Sequence, residues 1–118
     1  MTEEENIALL KSGDQKAFER LVKEHELKIY NTCLGFLQNE ADAEDVCQEV
    51  FISVFRSIGN FKGQSKLYTW MYRIAVTQSL EFLRAKKRKK RFAFVEHIFG
   101  DKSGEIKTEA LHFYHPGI

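Results

Sequence analysis

LYTWMYRIAVTQSLEFLRAKKRKKR, residues 67–91, is the stretch on which the fold turns. Leu67, Met71, Ile74, Ala75, Leu80 and Leu83 recur at helical spacing, and neither Gly nor Pro interrupts its 25 residues. The spacing predicts one long helix, about 37 Å of rod at 1.5 Å per residue. Its last eight residues, beginning at Arg84 and ending at Arg91, hold seven cations. No buried surface accepts such a density, and the charges repel one another unless an anion is near. A solvated helix end complementing the dipole is the competing account, but it needs fewer charges. The run points to a polyanion.

Working outward, the chain has 118 residues, enough for one domain with a core of modest size. No apolar run approaches the ~20 residues that span a bilayer. The N-terminus carries Glu3, Glu4 and Glu5 where a secretory signal would be basic. The expectation is a cytoplasmic protein without membrane insertion. Cys33 and Cys47 fall on the apolar faces of two predicted helices and read as small buried hydrophobes rather than ligands or a disulfide. The four histidines form no metal-ligand spacing with each other or with the cysteines. No metal or cofactor is expected. The formal net charge of +1 hides an asymmetry: residues 1–59 hold 6 Lys/Arg against 12 Asp/Glu, and residues 60–118 hold 12 against 5. An acidic half and a basic half suit partners of opposite charge.

Before the long helix, residues 6–11 read as a short amphipathic helix ended by Ser12 and Gly13. Asp14 is placed to cap a second helix running to about Leu37, with Phe18, Leu21, Val22, Ile29, Cys33, Phe36 and Leu37 on its core face. A tight link follows, and a third helix is expected from Ala41 or Asp42 to about Ser57. Its stripe of Ala43, Val46, Cys47, Val50, Phe51, Val54, Phe55 and Ile58 has the cleanest periodicity in the chain. Its other side carries Asp42, Asp45, Gln48, Glu49, Ile52 and Arg56. Residues 29–55 contain no Lys or Arg, while five carboxylates gather in residues 40–49. Carboxylates favoured by a helix N-terminus would explain these. Ile52, a large apolar residue inside an acidic face, favours a protein contact. Residues 59–66 break the pattern as a loop, in which Phe61 either plugs the core or serves a site and Ser65 is placed to cap the long helix. Past Arg91, residues 92–95 extend the helix or fold back, and residues 99–104 read as a turn. The tail is expected to be partly disordered or docked through Phe113 and Tyr114. With no repeats and no convincing strands, the fold class is all-α: a compact bundle of three to four helices with a short leading helix.

Three blocks carry a family resemblance: residues 42–51, beginning Asp42-Ala43-Glu44-Asp45-Val46; the loop Asn60-Phe61-Lys62-Gly63-Gln64-Ser65; and Tyr68-Thr69-Trp70-Met71-Tyr72-Arg73-Ile74-Ala75. In this order and spacing they resemble region 2 of bacterial RNA polymerase sigma factors, in the extracytoplasmic-function (ECF) subgroup of the sigma-70 family. The resemblance covers residues 14–91. It implies a promoter-recognition domain that docks on the clamp of the polymerase largest subunit and captures the non-template strand of the minus-10 element. Asp45, Gln48, Glu49, Ile52 and Arg56 then correspond to the polymerase-binding helix. Phe61, Lys62, Gly63, Gln64, Ser65 and Lys66 correspond to the loop that receives a flipped-out base, for which a flat apolar partner, small residues and edge-reading polar groups are needed. Thr69, Trp70, Arg73 and Thr77 follow near the junction of duplex and single strand. Trp70 is ambiguous, since an aromatic at helical spacing is more often core than a base-stacking platform. Arg84, Lys87, Arg88 and Arg91 would contact phosphates, adding salt-sensitive affinity and little sequence information. Many relatives have an inhibitory anti-sigma factor, which the resemblance adds as a candidate partner.

Two departures stand out. Thr77 occupies a position where many members carry Asn, which alters that contact. Residues 1–95 correspond to region 2 and residues 96–118 to a linker or tail, while the region 4 helix-turn-helix domain is absent, as in a fragment of a longer member. Two other functions compete. One is a helical interaction adaptor with a nonspecific basic tail. The other is a magnesium-dependent nucleic-acid enzyme using Asp42, Glu44, Asp45 and Glu49, which is disfavoured because Glu44 points away from the other three. The expected function is not enzymatic.

Overall fold

Capping residues punctuate the chain where its apolar periodicity starts. In the computed structural model, which describes residues 2–100, the elements are α1 (Glu3–Lys11), α2 (Gln15–Leu37), α3 (Glu40–Ser57), a 3-10 turn (Ile58–Asn60) and α4 (Leu67–Phe99). All are helical, so the fold is all-α, as expected. Thr2 Oγ1 accepts from the Glu5 N–H at 3.1 Å, Asp14 Oδ1 from Ala17 at 2.9 Å, and Asn39 Oδ1 from Asp42 at 2.9 Å. Each such cap is worth about 1 kcal/mol. The first and third move a boundary: α1 begins at Glu3 rather than Asn6, and α3 at Glu40 rather than Ala41 or Asp42, because Thr2 and Asn39 supply the cap. Gln38 ends α2 in the left-handed conformation, φ 53°, its N–H bonded to the Leu34 carbonyl.

Ser65 does not cap α4. Its hydroxyl donates to the Lys66 carbonyl at 3.2 Å, and the Trp70 N–H reaches that same carbonyl at 3.1 Å. At its other end α4 runs past Arg91 to Phe99, so residues 92–95 extend the helix and the helix passes the boundary expected at residue 95. The chain divides into two compact units after Ser79, the second containing the later part of α4. The expectations of a turn over residues 101–104 and of a tail docked through Phe113 and Tyr114 lie outside the described residues.

The core of the first unit follows the helical stripes. Leu21, Ile29 and Cys33 of α2, Val46, Val50 and Val54 of α3, and Met71 and Ala75 of α4 are all buried. Each large aliphatic side chain so buried contributes about 1.5–3 kcal/mol. Two aromatics expected in the core are exposed instead, Phe36 at 37% and Phe55 at 53%. Both sit at the rim of their stripes, open to solvent; Phe55 keeps an edge-on contact with Phe18 at 5.1 Å. Ser79 is fully buried, completing the i, i+4 row of Leu67, Met71 and Ala75 that apolar spacing alone could not extend to a hydroxyl. Gln78 of α4 donates to the Ser53 hydroxyl, tying α3 to α4.

Cys33 and Cys47 are free and buried, as expected. Burial raises both thiol pKa values, that of Cys47 to about 11; the Ser79 hydroxyl partly offsets the rise at Cys33. Neither is poised as a nucleophile.

Candidate functional site

The acidic helix α3 turns its core stripe inward and so presents the opposite side to solvent. Asp45, Gln48, Glu49, Ile52 and Arg56 are all exposed and share that side. Ile52 stands 41% exposed. Gln48 and Ile52 also form one wall of an open groove of about 690 Å³ between α3 and α2, with Phe51 beside them and Val22, Leu27 and Tyr30 opposite. Leu27 is 70% exposed. Sequence reasoning missed Leu27 because it lies off the core stripe of α2, although a leucine outside the stripe was itself the available signal.

The second surface is the loop between the 3-10 turn and α4. Phe61 takes the plug position, with its ring buried and 5.2 Å from Trp70 at 47° between planes. Its N–H donates to the Ile58 carbonyl, and its own carbonyl accepts from Lys11 Nζ at 2.6 Å. Leu67 is buried at the loop's far end. Between these anchors Lys62, Gly63 and Gln64 are exposed, Ser65 is half-buried and Lys66 is exposed. Gly63 has φ +72°, which its missing Cβ permits, and no atom lies within 4 Å of where a Cβ would stand. The loop therefore offers backbone that a planar ligand can approach closely.

Along the first part of α4, Thr69 and Trp70 are half-buried while Arg73 and Thr77 are exposed. Trp70 is thus packed in part against Phe61 and in part open to solvent, between its two readings. In the second unit Arg84, Lys87 and Arg91 are exposed and Arg88 is half-buried. A separate cluster joins α2 to α4: His25 stacks on Tyr68 at 5.4 Å, Lys28 Nζ lies 5.4 Å from the same ring, and Tyr72 follows at 6.3 Å. Burial lowers the His25 pKa and Lys28 lowers it further, against opposing contributions from Glu24 and Glu3. Among the described residues no group of three or more His, Cys, Asp or Glu is placed to hold a metal ion, and no helix is long and apolar enough to cross a membrane.

These surfaces define a helical binding module: an acidic, apolar-centred face on α3, a pinned loop with an exposed tip, and a cation-rich helix end. Residues 21–89 match the family model for sigma-70 region 2, and the chain belongs to that family. Its relatives are of the ECF kind. The chain is 42% identical over 77 residues to the RNA polymerase sigma-H factor of Pseudomonas aeruginosa, covering 65% of this chain and 40% of that protein. It is 41% identical over 81 residues to the ECF sigma factor SigW of Bacillus subtilis, covering 69% and 43%. With the ECF sigma-E factor of Escherichia coli it shares 36% identity over 89 residues, covering 75% and 46%. The chain thus spans less than half the length of these relatives. Among solved structures, an engineered region 2 of sigmaE in complex with GTAAAA superposes with a TM-score of 0.69 at 34% identity, covering 75% of this chain and 93% of that one.

Proposed function

We propose that this chain is the promoter-recognition domain of an ECF sigma factor, working in the cytoplasm as a binding module rather than an enzyme. It docks on the clamp of core RNA polymerase through Asp45, Gln48, Glu49, Ile52 and Arg56. It captures a base of the non-template minus-10 strand in the loop of residues 61–66, with Thr69, Trp70, Arg73 and Thr77 beside it and Arg84, Lys87, Arg88 and Arg91 on the phosphates. The observation that carries this reading is the loop: exposed Lys62, Gly63 and Gln64 held between buried Phe61 and Leu67, on a chain whose structural neighbour is a complex with GTAAAA. Phe61 supports the loop as its floor, Gly63 admits the ligand, and Gln64 and Ser65 supply edge-reading groups. An anti-sigma factor is a further candidate partner.

The test is binding of labelled non-template oligonucleotides, each base of a GTAAAA-type sequence varied in turn at fixed salt. One position is expected to dominate, with affinity falling about tenfold or more on substitution, and Gln64→Ala should flatten that preference. Uniform binding to every oligonucleotide, sensitive only to salt, would instead support an adaptor with a nonspecific basic tail.

A further inference from the structure

We propose that Lys11 is a positioning residue for the base-capture loop: from the end of α1, its ammonium holds the Phe61 carbonyl and sets where Lys62, Gly63 and Gln64 are presented. The proposal rests on the base-binding reading of that loop. Lys11 is separated from Phe61 by 50 residues, yet the two meet at 2.6 Å in a partly buried contact. The origin of the lysine is itself fixed. Leu10 is buried, the Ser12 N–H bonds back to the Ala8 carbonyl, Gly13 turns the chain at φ +84°, and Asp14 caps α2. Helix α1 also packs against the 3-10 turn that leads into the loop.

Phe61 is consequently held by three independent contacts. Its ring packs on Trp70, its N–H closes the 3-10 turn on Ile58, and its carbonyl receives the cation. A carbonyl facing an ammonium is a charge-assisted bond, shorter and stronger than a neutral one. Immediately beyond it the chain enters exposed residues with a glycine at positive φ, the part of the loop with the least packing of its own. Among the described residues, the Lys11 ammonium is the hydrogen-bond donor that the Phe61 carbonyl meets, and without it that peptide plane is held only from the Phe61 side. The tip would then sample several positions relative to the Trp70 edge, and selectivity, which depends on a placed tip, would fall before overall affinity does.

The experiment compares the wild-type chain with Lys11→Met, which keeps the alkyl stem and removes the donor, and Lys11→Arg, which restores a cationic donor. Three quantities are read on the same oligonucleotide panel and protein: the ratio of best to worst base at the loop-dependent position, the slope of log affinity against log salt, and amide hydrogen exchange over residues 62–65. Lys11→Met is expected to cut the base ratio by about tenfold, the lower end of what a hydrogen bond to a charged group carries. It should speed exchange in the loop and leave the salt slope unchanged, while Lys11→Arg recovers most of the ratio. A wild type that discriminates bases beside a Lys11→Met chain that discriminates equally would overturn the proposal. So would an unchanged ratio with a salt slope smaller by about 0.7, the change expected when a cation stops neutralising one phosphate of a single strand. A wild type with no base preference at all would sink the loop reading instead, and the exchange rates would then still report whether Lys11 orders the loop. Should Lys11→Met fail to fold, Lys11→Gln serves as the second donor-weakened variant on the same readouts.

Discussion

The surroundings of His25 favour its neutral form. Its imidazole is partly buried against Tyr68, and burial together with nearby Lys28 outweighs the pull of Glu24 and Glu3, so its pKa falls below the ordinary 6.5. The unfolded chain therefore binds this proton at a higher pH than the folded one does. Stability from this group is fully present above 6.5 and is lost as pH falls from there through the lower folded value. His25→Phe keeps a ring on Tyr68 and removes the titration. Urea melts of the two chains between about pH 7 and 5 should show the wild type losing more stability on acidification than the variant does, in the sense that linkage requires. Equal slopes would place the pH sensitivity of the fold elsewhere.

Among the elements, α3 carries the clearest division of labour. Its stripe of Ala43, Val46, Val50 and Val54 is spent on the core, which leaves Ile52 exposed among carboxylates at the edge of the groove. Ile52→Asp should weaken binding to core polymerase by tenfold or more in a titration, since a central apolar contact is worth about 2 kcal/mol or above. Its melting temperature should barely move, because exposed substitutions usually change stability by no more than about 0.5 kcal/mol. Much of α2, α3 and α4 is legible in the sequence, since a 3.6-residue apolar period and a short polar cap are both local signals. Asp14, the buried cysteines and the solvent face of α3 are visible in this way. What escapes is decided between elements. The rim positions of Phe36 and Phe55 depend on how far a neighbouring helix reaches around the stripe, and the burial of Ser79 depends on what closes over the inner row of α4. The Lys11 contact closes over 50 residues, where no pattern of spacing operates. Asn39 and Thr2 are readable as caps but easily passed over, each one position ahead of the acidic residue that begins its helix.

For the molecule as a whole, charge is unevenly distributed, and the proposed interface would draw affinity and selectivity from different segments. Residues 1–59 are acidic and residues 60–118 basic, with the cations densest in residues 84–91. Neutralising exposed Arg84, Lys87 and Arg91 together should flatten the salt dependence of oligonucleotide binding, by about 0.7 in slope for each phosphate no longer neutralised. The ranking of bases on the panel should survive, because phosphate contacts carry no sequence information; a changed ranking would assign base contacts to that segment. The two cysteines bear on the chain at this same scale. Both thiols are sequestered in the first unit with their pKa values raised, Cys47 to about 11. At neutral pH an alkylating reagent should therefore reach Cys33 only when the core opens, while Cys47, which lines the groove, is held back by its raised pKa. Adduct formation followed by mass spectrometry becomes a clock for those openings. The same low reactivity makes an Asn60→Cys chain, altered at an exposed position just ahead of the loop, chemically addressable at one place, so that a fluorophore installed there would report on the loop with little background from the core.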